Sequence, residues 1–85
     1  EQFDIIVYPN PCKDYINIRF NNFIPPDFNV EIIDLYNHKK CMSEINKFKC
    51  LHNEFKIPIK NLPQSIYVLS IRYNNQIYKQ KIVKL

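Results

Sequence analysis

The sequence predicts an all-β fold, an immunoglobulin-like two-sheet β-sandwich of about seven strands. Three observations predict it. Short runs rich in Ile, Val, Tyr and Phe alternate apolar with polar residues at period two, the pattern of a strand with one buried face. Breaks containing Asn or Pro separate those runs at short intervals, as in small sandwiches. No stretch carries the 3.6-residue apolar stripe of an amphipathic helix, and Asp34 to Ile45 lacks it too.

Phe3 to Tyr8 reads as the first strand, with Phe3, Ile5 and Val7 on one face. Tyr8-Pro9-Asn10-Pro11 then forms a stiff elbow. Its two prolines hold φ at alternate positions and push the residue before each towards extended geometry, which excludes both helix and central strand. Tyr15 to Phe20 alternates, placing Ile16, Ile18 and Phe20 in the core and Asn17 and Arg19 in water. Asn21 to Asp27 is a loop, because Pro25-Pro26 has no place in a ladder.

Phe28 to Tyr36 is the third strand, with Val30 and Ile32 inward and a break in alternation at Ile33-Asp34-Leu35 that suggests a bulge. Asn37-His38 reads as a two-residue hairpin turn into a polar strand from Lys39 to Ile45. Asn46 to Asn53 reads as a loop. Phe55 to Ile59 alternates, and Pro58 makes it an edge strand or one with a free side. Ile66 to Tyr73 is the most β-prone run, with Tyr67, Leu69 and Ile71 sharing a face. Asn74-Asn75 turns it into the last strand, Gln76 to Val83.

At 85 residues the chain has the size of one domain, near the lower end of what a single core supports. No run approaches the roughly 18 apolar residues of a membrane helix, so no transmembrane segment is expected. No signal-peptide pattern is visible, and a strand-like run almost at Glu1 suits a module of a larger chain. The chain has no glycine, so asparagine must supply left-handed backbone at Asn21-Asn22, Asn37-His38 and Asn74-Asn75. Charge is uneven. Up to Glu54 there are six Lys/Arg and eight acids; beyond it there are six Lys/Arg (Lys56, Lys60, Arg72, Lys79, Lys81, Lys84) and no acid. Such a region is either a solvated strand face or a surface for an anionic partner.

Catalytic chemistry finds little footing. A Gly-rich phosphate loop is excluded without glycine, the carboxylates have no paired spacing, and His38 and His52 sit near Cys41 and Cys50 without a nucleophile motif. No cofactor is implied. His38-x2-Cys41 with Cys50-x-His52 supplies zinc-ligand types but lacks the Cys-x2–4-Cys knuckle, so no metal site is assigned. Of the three cysteines, Cys41 and Cys50 flank the Asn46 loop, where neighbouring strands would allow a disulfide; the alternative is three thiols, with Cys12. Tyr8, Tyr36, Tyr67, Tyr73 and Tyr78 fit core and cross-strand packing better than a nucleic-acid stacking platform, and no nucleic-acid partner is expected.

Four segments in order carry a resemblance. Tyr8-Pro9-Asn10-Pro11 precedes an alternating strand. Val30 to Lys39 is a strand that ends in Asp34, an apolar residue, a tight turn and Lys. Leu62-Pro63-Gln64-Ser65-Ile66-Tyr67-Val68-Leu69 joins a Leu-Pro turn to a strand, and Lys79-Gln80-Lys81-Ile82-Val83-Lys84-Leu85 alternates Lys with apolar residues. Together they resemble the C-terminal sorting domain, type A, of the type IX (Por) secretion system. The family usually has Gly where this chain has Asn37 or His38, and again at Ser65.

The resemblance implies a non-catalytic signal at the end of a longer secreted protein, residues 1–85 forming that single domain behind an N-terminal cargo. The outer-membrane translocon and its shuttle proteins would recognise it. A sortase-like protease would then remove it, with the cargo released or joined to anionic lipopolysaccharide. The route is the periplasm in transit, then the outer-membrane surface or the medium. Recognition would rest on the last strands, here Lys79, Lys81, Ile82, Val83, Lys84 and Leu85, with Tyr67 to Ile71 in support. An exposed edge there could take a partner strand.

The alternative, from the aromatic content, is an accessory immunoglobulin-like module of a secreted enzyme, binding carbohydrate or stiffening the catalytic domain. Tyrosines clustered on one exposed sheet face would favour it. A disulfide-linked or strand-paired oligomer is a third reading.

Overall fold

The computed structural model describes residues 4–21, 28–45, 50–51, 53–73 and 75–85. In them the chain forms eight strands and no helix: β1 (Ile5–Tyr8), β2 (Tyr15–Phe20), β3 (Asn29–Asp34), β4 (Lys40–Ile45), β5 (Cys50–Leu51), β6 (Glu54–Pro58), β7 (Ser65–Tyr73) and β8 (Gln76–Lys84). They lie in two antiparallel sheets, of order β1-β2-β6-β5 and β4-β3-β7-β8. This is the strand arrangement of an immunoglobulin-like sandwich, with the sheet sets reading ABED and, with one added strand, CFG. No helix among the described residues is long and apolar enough to cross a membrane.

The seven expected strands correspond to all of these except β5. Cys50 and Leu51 were expected in a loop, but they pair with Phe55 and Glu54. Asn53 makes that tight return, with φ at 64°, and its carbonyl accepts from the Phe20 N–H at 3.0 Å. An asparagine tolerates left-handed backbone better than most residues, so the position is legible afterwards. Because β5 reaches only to Phe55, β6 has no neighbour on that side at Pro58 among the described residues. The imide therefore interrupts no ladder there.

The core forms where the alternating faces meet. Ile16, Ile18, Phe20, Phe55 and Ile57 from one sheet pack with Val30, Ile32, Tyr67, Leu69, Ile71 and Ile82 from the other. Phe20 and Phe28 each meet Phe55 edge to face and tilt against each other, with centroids 4.9 to 5.9 Å apart. Each such side chain contributes about 1.5–3 kcal/mol by leaving water. Ile5 and Val7 pack against this core from β1 as expected, while Phe3 lies outside the described residues. Asn17 departs from expectation. It is on the outer face but buried, at 8% exposure, because Tyr8 and Lys56 stand directly opposite it on the flanking strands.

The turn between β3 and β4 is longer than a two-residue hairpin. The Asp34 N–H donates to Lys39 O at 2.8 Å and the His38 N–H to Asp34 O at 2.9 Å. Asp34 Oδ1 also accepts from the Tyr36 N–H, and Asn37 Oδ1 from the Lys39 N–H. Only His38 is left-handed there, at φ 56°; it replaces the glycine usual at this turn. Ser65, at the other glycine position, opens β7 outside the left-handed region, so serine serves there. The irregularity near Ile33 is real, but its extra residue is on β4: the register shifts from Ile32↔Met42 to Ile33↔Lys40, skipping Cys41. The β7–β8 register ends at Tyr73↔Gln76. Asn74 of that turn lies outside the described residues, as do most of the Asn21–Asp27 and Asn46–Asn53 loops.

Tyr67 is fully buried, yet its hydroxyl donates to Pro63 O at 2.6 Å. A tyrosine at the start of this strand that bonds back to the preceding corner is the tyrosine corner of immunoglobulin-like folds. Phe at this position would keep the ring and leave the Pro63 carbonyl without its donor. Tyr67→Phe is expected to cost about 1–2 kcal/mol, read as a lower urea midpoint at unchanged m-value.

Candidate functional site

The four sequence segments converge at one end of the sandwich. Leu35 in the β3–β4 turn donates its N–H to Ile66 O at 3.0 Å, joining the second segment to the third. Tyr36, Gln64, Ser65, Ile66 and the end of β8 border an open groove of about 440 Å³. A second groove, of about 310 Å³, lies between the elbow prolines, Tyr15 and Leu85. Leu85, half exposed at 50%, borders both.

The elbow holds the last strand. Both Tyr8-Pro9 and Asn10-Pro11 peptide bonds are cis, and through them the chain leaves the sheet of β1 for the edge of the other sheet. Proline has no N–H to offer. The Asn10 amide, with its donor and acceptor groups, acts in place of a strand backbone. Its Nδ2 donates to Lys81 O at 3.0 Å, and its Oδ1 accepts from the Val83 N–H at 2.9 Å. Cys12 continues the pairing as a parallel bridge to Lys84. The Cys12 N–H donates to Val83 O and the Leu85 N–H to Cys12 O, both at 2.8 Å.

The edge from Lys81 to Leu85 is therefore occupied. Strand addition there, expected from sequence, would have to displace the bonds of Asn10 and Cys12. Outward-facing groups alternate along a strand, so the Lys81 N–H and the groups of Ile77 and Lys79 have no strand beside them among the described residues.

The side chains expected to meet a partner divide by face. Lys79 and Lys81 are exposed, Val83 is half-buried on the outer face, and Leu85 is exposed. Ile82 is fully buried in the core. Lys84 is 8% exposed, with its Nζ donating to Leu85 O at 3.1 Å. Of the motif residues, Tyr8 donates its hydroxyl to the Glu54 carboxylate, Leu62 packs on the core, and Pro9 and Pro11 are exposed. Sequence reasoning missed Cys12, which is 1% exposed with Sγ directed at Val83 O, 3.3 Å away. Burial pushes the Cys12 thiol up, and Lys84 partly offsets this.

The other candidates separate. Cys41 is an exposed free thiol. Its strand and that of Cys50 belong to different sheets, so the two cysteines do not face each other on neighbouring strands. His52 lies outside the described residues, and among the described residues no three His, Cys, Asp or Glu side chains gather as metal ligands. Tyr67 and Tyr78 belong to the interior while Tyr36 is at the turn, so these rings share no platform.

A family model described as "Secretion system C-terminal sorting domain" matches residues 6–85. No curated protein matches the chain.

Removing the Asn10 amide opens both of its bonds to β8. Asn10→Ala is expected to destabilise the fold by about 1–3 kcal/mol. It should raise amide exchange at Val83 and speed alkylation of Cys12, resolved from the other cysteines by peptide mapping. Unchanged exchange and labelling would show that Cys12 alone holds the strand.

Proposed function

Because the chain belongs to the family of type IX secretion-system C-terminal sorting domains, we propose that it acts as the C-terminal address of a longer secreted protein. The family is generally non-catalytic, and this chain has no activity of its own in this reading. It carries an N-terminal cargo through the periplasm to the outer-membrane translocon and its shuttle proteins. A sortase-like protease then removes it, and the cargo is released or attached at the cell surface through anionic lipopolysaccharide. The observation that carries the reading is the convergence of all four motif segments at one end of the sandwich, around β8 and Leu85.

Lys79, Lys81, Val83 and Leu85 are the contact residues in this reading, because their side chains reach solvent. Ile82 and Lys84 serve from within: Ile82 anchors β8 in the core, and Lys84 holds the terminal residue. The basic, acid-free stretch after Glu54 speeds encounter with an acidic partner.

One observation favours the carbohydrate-binding alternative. Tyr8 and Tyr15 share the outer face of the β1-β2-β6-β5 sheet, exposed at 37% and 39%. Their polar and π surfaces are already engaged, however. Tyr8 bonds Glu54, and the Lys56 ammonium lies 4.1 Å from the Tyr15 ring centroid. The sorting reading accounts for more of the chain.

Appending residues 1–85 to a periplasmic reporter, in a host with a type IX system, should send the reporter to the surface or medium. Deleting Lys81 to Leu85 should hold it in the periplasm. An intact, folded reporter that stays in the periplasm with the complete domain would overturn the sorting role and leave the carbohydrate-binding or structural module.

A further inference from the structure

A sandwich covers only one face of each sheet, so its strands ordinarily alternate apolar and polar. Sheet β4-β3-β7-β8 breaks that rule. Ile66-Tyr67-Val68-Leu69 in β7, Ile32-Ile33 in β3 and Ile82-Val83 in β8 are continuous apolar runs, the pattern of strands covered on both faces. Tyr67, Leu69, Ile32 and Ile82 fill the core. Their neighbours Ile66, Val68, Ile33 and Val83 therefore point to the opposite face. The register gathers them, with Ile33 opposite Val68 and Ile66 opposite Val83. The result is one half-buried aliphatic block on the outer face of the sandwich. The outer face of the other sheet has no such block; there Asn17, Arg19, Glu54 and Lys56 lie among the tyrosines.

Cations border the block. Lys81 stands opposite Val68 and Lys79 opposite Ser70. Glu31, facing Ser70 from β3, is taken by Lys40 at 3.0 Å. Lys79 and Lys81 have no carboxylate within bridging distance among the described residues. The adjoining edge is closed by Asn10 and Cys12 from Lys81 onwards, so a partner meets this region through its side chains.

We propose that this outer face, centred on Ile33, Ile66, Val68 and Val83 with Lys79 and Lys81 at its border, docks a protein surface that presents an apolar patch rimmed by Asp and Glu. The inference rests on the sorting reading and names the contact surface and its partner's chemistry. Charge and shape select the partner. A second copy would set lysines against lysines, which is repulsive. An anionic polysaccharide would satisfy the lysines but leave the aliphatic block uncovered. An acidic-rimmed apolar patch satisfies both.

The test uses the cargo fusion in its type IX host. Lys79→Glu with Lys81→Glu should lower export at least tenfold, with the melting temperature held within a few degrees because both side chains are exposed. Val68→Asp should also lower export, and Lys60→Glu, exposed in the turn after β6, should export like the parent. A photo-crosslinking residue in place of Val68 should trap an Asp- or Glu-rich peptide of another protein, mapped by mass spectrometry.

A parent that exports while the double lysine variant exports equally overturns the docking face and leaves the sorting role standing. A parent that never leaves the periplasm removes both. Crosslinks from Val68 only to lipopolysaccharide, or only to another copy of the chain, overturn the assigned partner.

Discussion

The sandwich is closed by a contact between its first and last segments. β1 belongs to one sheet and β8 to the other; the elbow after β1 crosses between them and ties Asn10 and Cys12 to Lys81, Val83 and Leu85. A terminal strand paired on one side only would fray and expose its edge. Here its last turn of pairing is supplied from the far end of the sequence. The Asn10 bonds join residues 71 and 73 positions apart, so they hold the two sheets to each other. The integrity of the end around β8 and Leu85 is thereby coupled to both halves of the chain.

The family's motif residues are mostly structural devices. Asp34 closes a turn, Pro63 accepts the Tyr67 hydroxyl, Leu62 seals the core, and Asn10 substitutes for backbone. They gather the chain at one end and hold β8 in register. The side chains on the outer face nearby alternate with them in the same segments: Lys79 and Lys81 of β8 and alternate aliphatic residues of β3 and β7. A recurring motif in such a domain marks what positions the surface as much as the surface itself.

The two outer faces are built differently. On the β1-β2-β6-β5 sheet, tyrosines are paired internally with Glu54 and Lys56, so polar groups there satisfy one another. On the outer face of the β4-β3-β7-β8 sheet the Glu31 carboxylate is used by Lys40, and Lys79 and Lys81 are exposed. A tyrosine–carboxylate hydrogen bond and an aromatic–cation contact stabilise the first face.

The sequence by itself determined the fold class, seven of the strands, the inward set of most of them and the family, because alternation and proline-bounded turns are local signals. It also placed a turn at Asn37-His38, although asparagine was expected to do work that His38 does at φ 56°. Only the tertiary structure decided the rest. The two-residue β5 is too short to have a period. The bulge lies on β4 rather than β3 because register is a property of two strands. Asn17 is buried by neighbours from β1 and β6. The edge of β8 is covered by residues some 70 positions away, and no local pattern announces which distant amide will fill an edge. Pairing and burial depend on what lies alongside, and the chain settles that only when the two sheets close on each other.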